Sequence, residues 1–236
     1  MKNKYLIIPD LHGKDVWLNA IQTIKHHNAI FLGDYFDYGK SIDSEIKNFY
    51  DILLLKKENK DAIELLLGNH EYHYLNVVNQ KYTGFSGPKK ELISGLLKEL
   101  IDKSWLKIAH AIDDTTLAVH AGISIGFSIE QKIPLDLNAF ELAQELNELF
   151  VANPLAFSLK ENHFSGNSVF ASPIWIRPES LLDNAYPGLF QIVGHTQHES
   201  LSVVDNIAFC DCLNFNSEMF LSVTQGDSKP ILNQKK

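Results

Sequence analysis

Three short apolar runs, separated by amphipathic stretches, organise the first third of the chain. Tyr5-Leu6-Ile7-Ile8, Ala29-Ile30-Phe31-Leu32 and Ala62–Leu67 are too short for buried helices and read as buried strands. Between them, residues 14–25 put Val16, Ala20, Ile21 and Ile24 on one helical face. Ser41 or Asp43 caps a second helix running to about Glu58, with Ile42, Ile46, Phe49, Tyr50 and Leu53 at helical spacing. Parallel neighbours need a crossover connection, and a β-α-β-α-β order supplies it. The fold class is therefore α/β with a largely parallel sheet.

Farther along, residues 89–102 predict a helix with a Leu92, Leu96, Leu100 stripe. Leu106–Ile112 and Thr115–His120 read as two strands joined at Asp113-Asp114, a hairpin signal. About seventy residues then separate His120 from His195 and include a helix near Asn138–Phe150 and a loop-like stretch over 160–172. The last third is β-like at Leu189–Val193, Leu201–Val204, Ile207–Cys212 and Glu218–Val223. Residues 1–224 are expected to form one domain with an insertion at about 123–188, and the polar 225–236 stretch a frayed, flexible tail.

The polar residues just beyond the apolar runs carry the chemistry. Asp10-Leu11-His12-Gly13 comes after the first run, Gly33-Asp34-Tyr35-Phe36-Asp37 after the second and Gly68-Asn69-His70-Glu71 after the third. His120-Ala121-Gly122 and Gly194-His195-Thr196 end two later runs. Each alone is an ordinary turn, but sites in open α/β sheets form at the carboxyl ends of strands. Five such ends can deliver their polar groups to one place. Imidazole, carboxylate and amide oxygen without thiolate suit Mn, Fe, Zn, Co or Ni. Asp10 and His12 share one short turn and can hold one ion; Asp34 can bridge two; Asn69, His120 and His195 can complete the ligand set of the second ion. Positions left open for water and substrate mark a catalytic site.

Composition decides which substrates such a centre meets. Lys+Arg is 21 against Asp+Glu 29, a net charge of −8. That balance disfavours long nucleic-acid tracks and polybasic membrane binding, yet two divalent ions make the site itself cationic and suited to a phosphate ester. Cys210 and Cys212 are too few for a disulfide scaffold and read as buried thiols. The short run after the N-terminal lysines is no signal-peptide core and no stretch is long enough to span a bilayer, so a cytoplasmic protein is expected.

The motifs Asp-x-His-Gly, Gly-Asp-x-x-Asp, Gly-Asn-His-Glu, His-x-Gly and Gly-His-Thr, in this order from residue 10 to 196, resemble the calcineurin-like metallophosphoesterase superfamily. Within it, the chain is similar to the bacterial serine/threonine phosphatase and symmetrical dinucleoside-tetraphosphatase branch. The resemblance implies a four-layer sandwich of two mixed β-sheets flanked by helices, with a dimetal site at the strand ends. It implies that Asp10 and His12 bind one divalent ion, Asp34 bridges, and Asn69, His120 and His195 bind the other. Manganese is the leading candidate, with iron, zinc, nickel, cobalt or magnesium as others. It further implies that His70, tuned by Asp37, protonates the leaving group, while Arg177 and Asn69 grip the phosphate.

The chain departs from that branch at Tyr38 and Leu67, which stand where two arginines are usual. Trp175-Ile176-Arg177 keeps the third, and Arg177 is the sole arginine among 21 basic residues. Guanidinium offers a planar bidentate fork that lysine lacks, so a retained arginine in that context points to phosphate. The expected activity is hydrolysis of phosphate monoesters, phosphoprotein included. The alternatives are a dinucleoside polyphosphate or nucleotide hydrolase, and a catalytically weak metal-binding scaffold with a protein partner. His198, three residues after His195, is read as a solvent or supporting group. Tyr72 and His73 are read as lining the cleft, and His26, His27, His110 and His163 as surface or packing residues.

Overall fold

The computed structural model describes residues 2–77, 81–160, 165–216, 219–226 and 231–234. His163 lies outside them. β1 (Lys4–Ile8), β2 (Asn28–Phe31) and β3 (Ile63–Leu66) run parallel, with Ile7 opposite Ile30 and Phe31 opposite Leu65. The crossovers are α1 (Val16–Thr23) and α2 (Ile42–Glu58). Ser41 caps α2: its Oγ accepts the Ser44 N–H at 3.1 Å and its own N–H donates to Ser44 Oγ at 3.0 Å. Trp17 Nε1 donates to Asn48 Oδ1 at 2.8 Å and ties the two helices together.

Among the described residues, the strands form two sheets. After α3 (Asn69–Tyr72) and α4 (Lys90–Asp102), β4 (Leu106–Lys107) joins the first sheet beside β3. β5 (Ala109–Asp113) then opens the second sheet and pairs antiparallel with β6 (Thr116–Val119). α5 (Ile125–Glu130), α6 (Ala139–Ala152) and α7 (Pro178–Asn184) fill the insertion before β7 (Phe190–Val193), which lies parallel to β6. β8 (Ser202–Val204) and β9 (Ile207–Phe209) complete that sheet. β10 (Met219–Thr224) returns to the first sheet, antiparallel to β1.

Period-two alternation makes the layers. Ile7, Ile30 and Leu66 meet Ile112, Ala118 and Ile192 in the core between the sheets. Leu6, Ile8, Phe31 and Leu65 point the other way, into the core shared with Trp17, Phe49 and Ile52 of the helices. The result is the expected sandwich of two mixed sheets flanked by helices.

Three local expectations shift. The continuous apolar run Leu106–Ile112 is not one strand, because the chain leaves the first sheet at Lys107 and enters the second at Ala109. Asn147 of α6 holds that crossing, its Oδ1 accepting the N–H groups of Ile108 at 2.7 Å and Ala109 at 3.2 Å. In α4 the buried stripe is Ile93, Leu97 and Leu100, with Leu96 packed partly buried beside it, and Leu92 faces solvent. In and just after α1 the predicted Val16, Ala20, Ile21 and Ile24 pack on the core, and Trp17 joins them as a further buried residue. The polar tail also contains β11 (Ile231–Gln234), which pairs antiparallel with β10 and extends the sheet edge that a frayed tail would leave open.

Candidate metal centre and active site

All five predicted strand ends converge. Asp10 follows β1, Asp34 and Asp37 follow β2, and Asn69 and His70 follow β3; His120 follows β6 and His195 follows β7 in the other sheet. Glycine permits the approach at two of these turns. A Cβ on Gly68 would stand 2.1 Å from Asp34 Oδ1, and one on Gly194 would stand 2.2 Å from Asp10 Oδ1. His12, Asp34, Asp37, Tyr38 and His195 all adopt positive φ, 46°, 52°, 67°, 60° and 65°. Left-handed backbone costs an L-residue about 1–2 kcal/mol, and its clustering here marks a place where the fold holds strain.

Hydrogen bonds set the tautomer of each histidine. Main-chain oxygens only accept, so each fixes an N–H on the ring nitrogen beside it. His12 Nδ1 faces Phe36 O at 2.9 Å, His120 Nδ1 faces Leu32 O at 2.9 Å, and His195 Nε2 faces Trp175 O at 3.1 Å. That leaves lone pairs on His12 Nε2, His120 Nε2 and His195 Nδ1. Burial holds all three imidazoles below their ordinary pKa, which keeps those lone pairs free.

The free nitrogens point at oxygens. His120 Nε2 and His195 Nδ1 lie 3.0 and 2.9 Å from the same Asn69 Oδ1. His120 Nε2 is 3.6 Å from Asp34 Oδ1, and His12 Nε2 is 3.8 Å from Asp34 Oδ2, so the two oxygens of Asp34 face opposite partners. Two imidazole nitrogens meeting at one amide side chain, beside buried carboxylates, form a donor set that a divalent cation would satisfy. Histidines steadied through their second nitrogen are the usual company of such a cation. Two of the groups of ligand atoms lying within 4.8 Å of one another share Asp34, namely His12–Asp34–His70 and Asp34–His120–His195. Asp10 is in neither; both its oxygens accept the His195 N–H at 3.0 Å. Burial, then Asp211 and Asp34, raise Asp10 well above the usual carboxylate range, a penalty that positive charge relieves.

His70 differs from the other three histidines in its partner. Its Nδ1 is 2.8 Å from Asp37 Oδ2, and its main-chain N–H donates to Asp34 Oδ1 at 2.9 Å. Burial opposes its charge, but the Asp34 and Asp37 carboxylates push it up to about 9. His12, Asp34, Asn69, His70, Arg177 and His195 line one cleft of about 660 Å³, while Asp10, Asp37 and His120 lie behind its wall. Arg177 is held by Nε donating to Ser165 O and Nη1 donating to Thr196 Oγ1, each at 3.1 Å.

Lys14 and Asp211, not foreseen as cleft residues, also line the cleft, as does Tyr38 at one of the two places where an arginine is usual. Glu71 is fully buried and accepts the N–H groups of Asp34, Tyr35, Phe36 and Gly68 at 2.8, 2.8, 3.3 and 3.1 Å. Its place in the Gly-Asn-His-Glu motif was the one signal for it. Tyr72 and His73 do not line the cleft; both are buried, with the Tyr72 hydroxyl donating to Pro154 O at 2.7 Å. His198 packs its ring 5.0 Å from that of Phe209 and belongs to neither ligand group.

Comparison with known proteins fits this geometry. A cold-active protein-tyrosine phosphatase of the psychrophile Shewanella superposes with a TM-score of 0.61 at 19% identity, covering 98% of this chain and 80% of that one. A protein serine/threonine phosphatase of Saccharomyces cerevisiae gives 0.54 at 16% identity, covering 98% and 79%. A metallophosphoesterase from Sphaerobacter thermophilus gives 0.50 at 12%, covering 100% and 89%. These likenesses concern the fold. The calcineurin-like phosphoesterase profile matches residues 4–196. With the match running through all five motifs, the chain belongs to the calcineurin-like phosphoesterase family and is a metal-dependent hydrolase of phosphate esters.

Proposed function

We propose that this chain is a phosphatase acting on phosphate monoesters, phosphoprotein side chains among them, with two divalent ions, manganese foremost. Asp10, His12 and Asp34 hold one ion; Asp34, Asn69, His120 and His195 hold the other. When bound, the ions supply Lewis acidity and an activated water. The observation that carries the reading is the separation of roles among histidines. Three are steadied through one ring nitrogen by main-chain oxygens with the other turned inward, and His70 is instead held through Nδ1 on the Asp37 carboxylate.

In the proposed reaction the water oxygen bonds to phosphorus and the P–O bond to the leaving group breaks. The bonding pair goes to the leaving oxygen, which takes its proton from His70 Nε2. His70 keeps its Nδ1 hydrogen bond to Asp37 and is reprotonated from solvent, which takes up the proton the attacking water gives up. Arg177, lining the cleft and anchored by Thr196, and Asn69 hold the non-bridging oxygens. The same reading sets the protein in the cytoplasm, supported by two free, buried cysteines.

The test is metal analysis and turnover side by side, on p-nitrophenyl phosphate, a phosphoserine peptide and a dinucleoside tetraphosphate. Asp34→Asn is expected to lose both bound metal and activity. His70→Ala is expected to keep its metal and lose about a hundredfold or more in kcat on the phosphopeptide. Full turnover by either variant rejects the role given to that residue, and preferential cleavage of the dinucleotide rejects the monoester assignment.

A further inference from the structure

Asp37, the partner of His70, is itself held on every side. Its carboxylate is completely buried. Oδ2 meets His70 Nδ1 at 2.8 Å, and Oδ1 accepts the Tyr74 hydroxyl at 2.8 Å. Lys89 Nζ lies 2.6 Å from Oδ1 and donates at 2.6 Å to Glu45 Oε2. The other oxygen of Glu45 accepts the Gly39 N–H at 2.7 Å. A continuous line of polar contacts thus runs from Gly39 through Glu45, Lys89 and Asp37 to His70. It passes beneath the left-handed Asp37-Tyr38 turn.

Lys89 is only 4% exposed, and a buried ammonium survives only where carboxylates compensate it. Asp37, His70 and His73 lie close enough to suggest a third ion site. Lys89 argues against it, because the cation that neutralises Asp37 is already part of the chain. His73 Nε2 approaches Asp37 Oδ2 to 3.1 Å without forming a directed hydrogen bond. Lys89 and Tyr74 hold Oδ1, while Oδ2 is turned to His70 Nδ1 at 2.8 Å with His73 Nε2 beside it at 3.1 Å.

We infer that Lys89 is a positioning residue for proton transfer. By fixing one oxygen of Asp37 from behind, it turns the other to His70 Nδ1 and so keeps His70 Nε2 available to the leaving oxygen. This rests on the reading of His70 as the leaving-group acid. Lys89 never meets substrate. Its effect reaches the reaction only through the demand of the leaving group for a proton.

That demand is the readout. A nitrophenolate leaves almost unaided, whereas a serine alkoxide must be protonated. In Lys89→Met the charge goes and the apolar stem stays. The kcat ratio of phosphoserine peptide to p-nitrophenyl phosphate is expected to fall about tenfold or more, a share of the effect of general acid catalysis. Bound metal and KM should hold, and Lys89→Arg should restore most of the ratio. An unchanged ratio, or equal loss on both substrates, overturns the inference. His70→Ala is measured alongside: if it too leaves the ratio unchanged, the acid role itself has failed, and not merely the assignment of Lys89. Should Lys89→Met fail to fold, Lys89→Gln is measured in its place, with the same ratio deciding.

Discussion

Glu71 touches no cleft, yet four main-chain N–H groups end on its carboxylate. They belong to the Gly-Asp turn after β2 and to Gly68 before α3, so one side chain sets how Asp34 is presented. Burial and the nearby Asp34 push its pKa up to about 8, opposed by His70 and by those N–H donors. Glu71→Gln replaces one acceptor oxygen by an NH₂ group facing N–H donors. Its expected effect is a loss of about 2–3 kcal/mol of stability, read by urea unfolding, together with weaker metal retention. At this scale the sequence was informative wherever the converging polar side chains are neighbours in the chain, as with Asp10 and His12 or Asn69 and His70. It was silent on Lys89 and Tyr74. Their contacts with Asp37 join segments 52 and 37 residues apart, and no local spacing records such a meeting.

The first three strands and two helices were legible because each carries its own period and punctuation: the short apolar run of β1, and the Ser41 cap before α2. The step from β4 to β5 was not. Leu106, Ile108, Ala109 and Ile112 are all buried, so the apolar pattern continues unbroken while the backbone changes sheets. Tertiary contact supplies the break, through Asn147. Its Nδ2 donates to Ala109 O at 3.0 Å while Oδ1 accepts two N–H groups. Asn147→Ala leaves those main-chain groups without partners. It is expected to lower unfolding stability by about 1–3 kcal/mol, with kcat per metal-loaded molecule unchanged. A stability within about 0.5 kcal/mol of the parent chain would assign the crossing to packing alone.

For the whole molecule, the position of the site has a mechanical meaning. Asp10, Asp34 and Asn69 extend from one sheet; His120 and His195 extend from the other. The layer between those sheets is mostly apolar. Ions gathered from both sides would act as a clasp at one end of the sandwich, adding to the packing that already joins the two sheets. A ligand that binds only the folded chain stabilises it by about 2.7 kcal/mol at a hundredfold excess over Kd. For a chain of this size that is about 5–10 °C in Tm. Chelation should therefore lower Tm by that amount and speed amide exchange in β6 and β7 as well as β2 and β3, and Asp34→Asn should melt alike with or without added metal. The protein would then lose its rigidity and its chemistry together, and a shortage of metal would be sensed as a loosened fold before any substrate arrives.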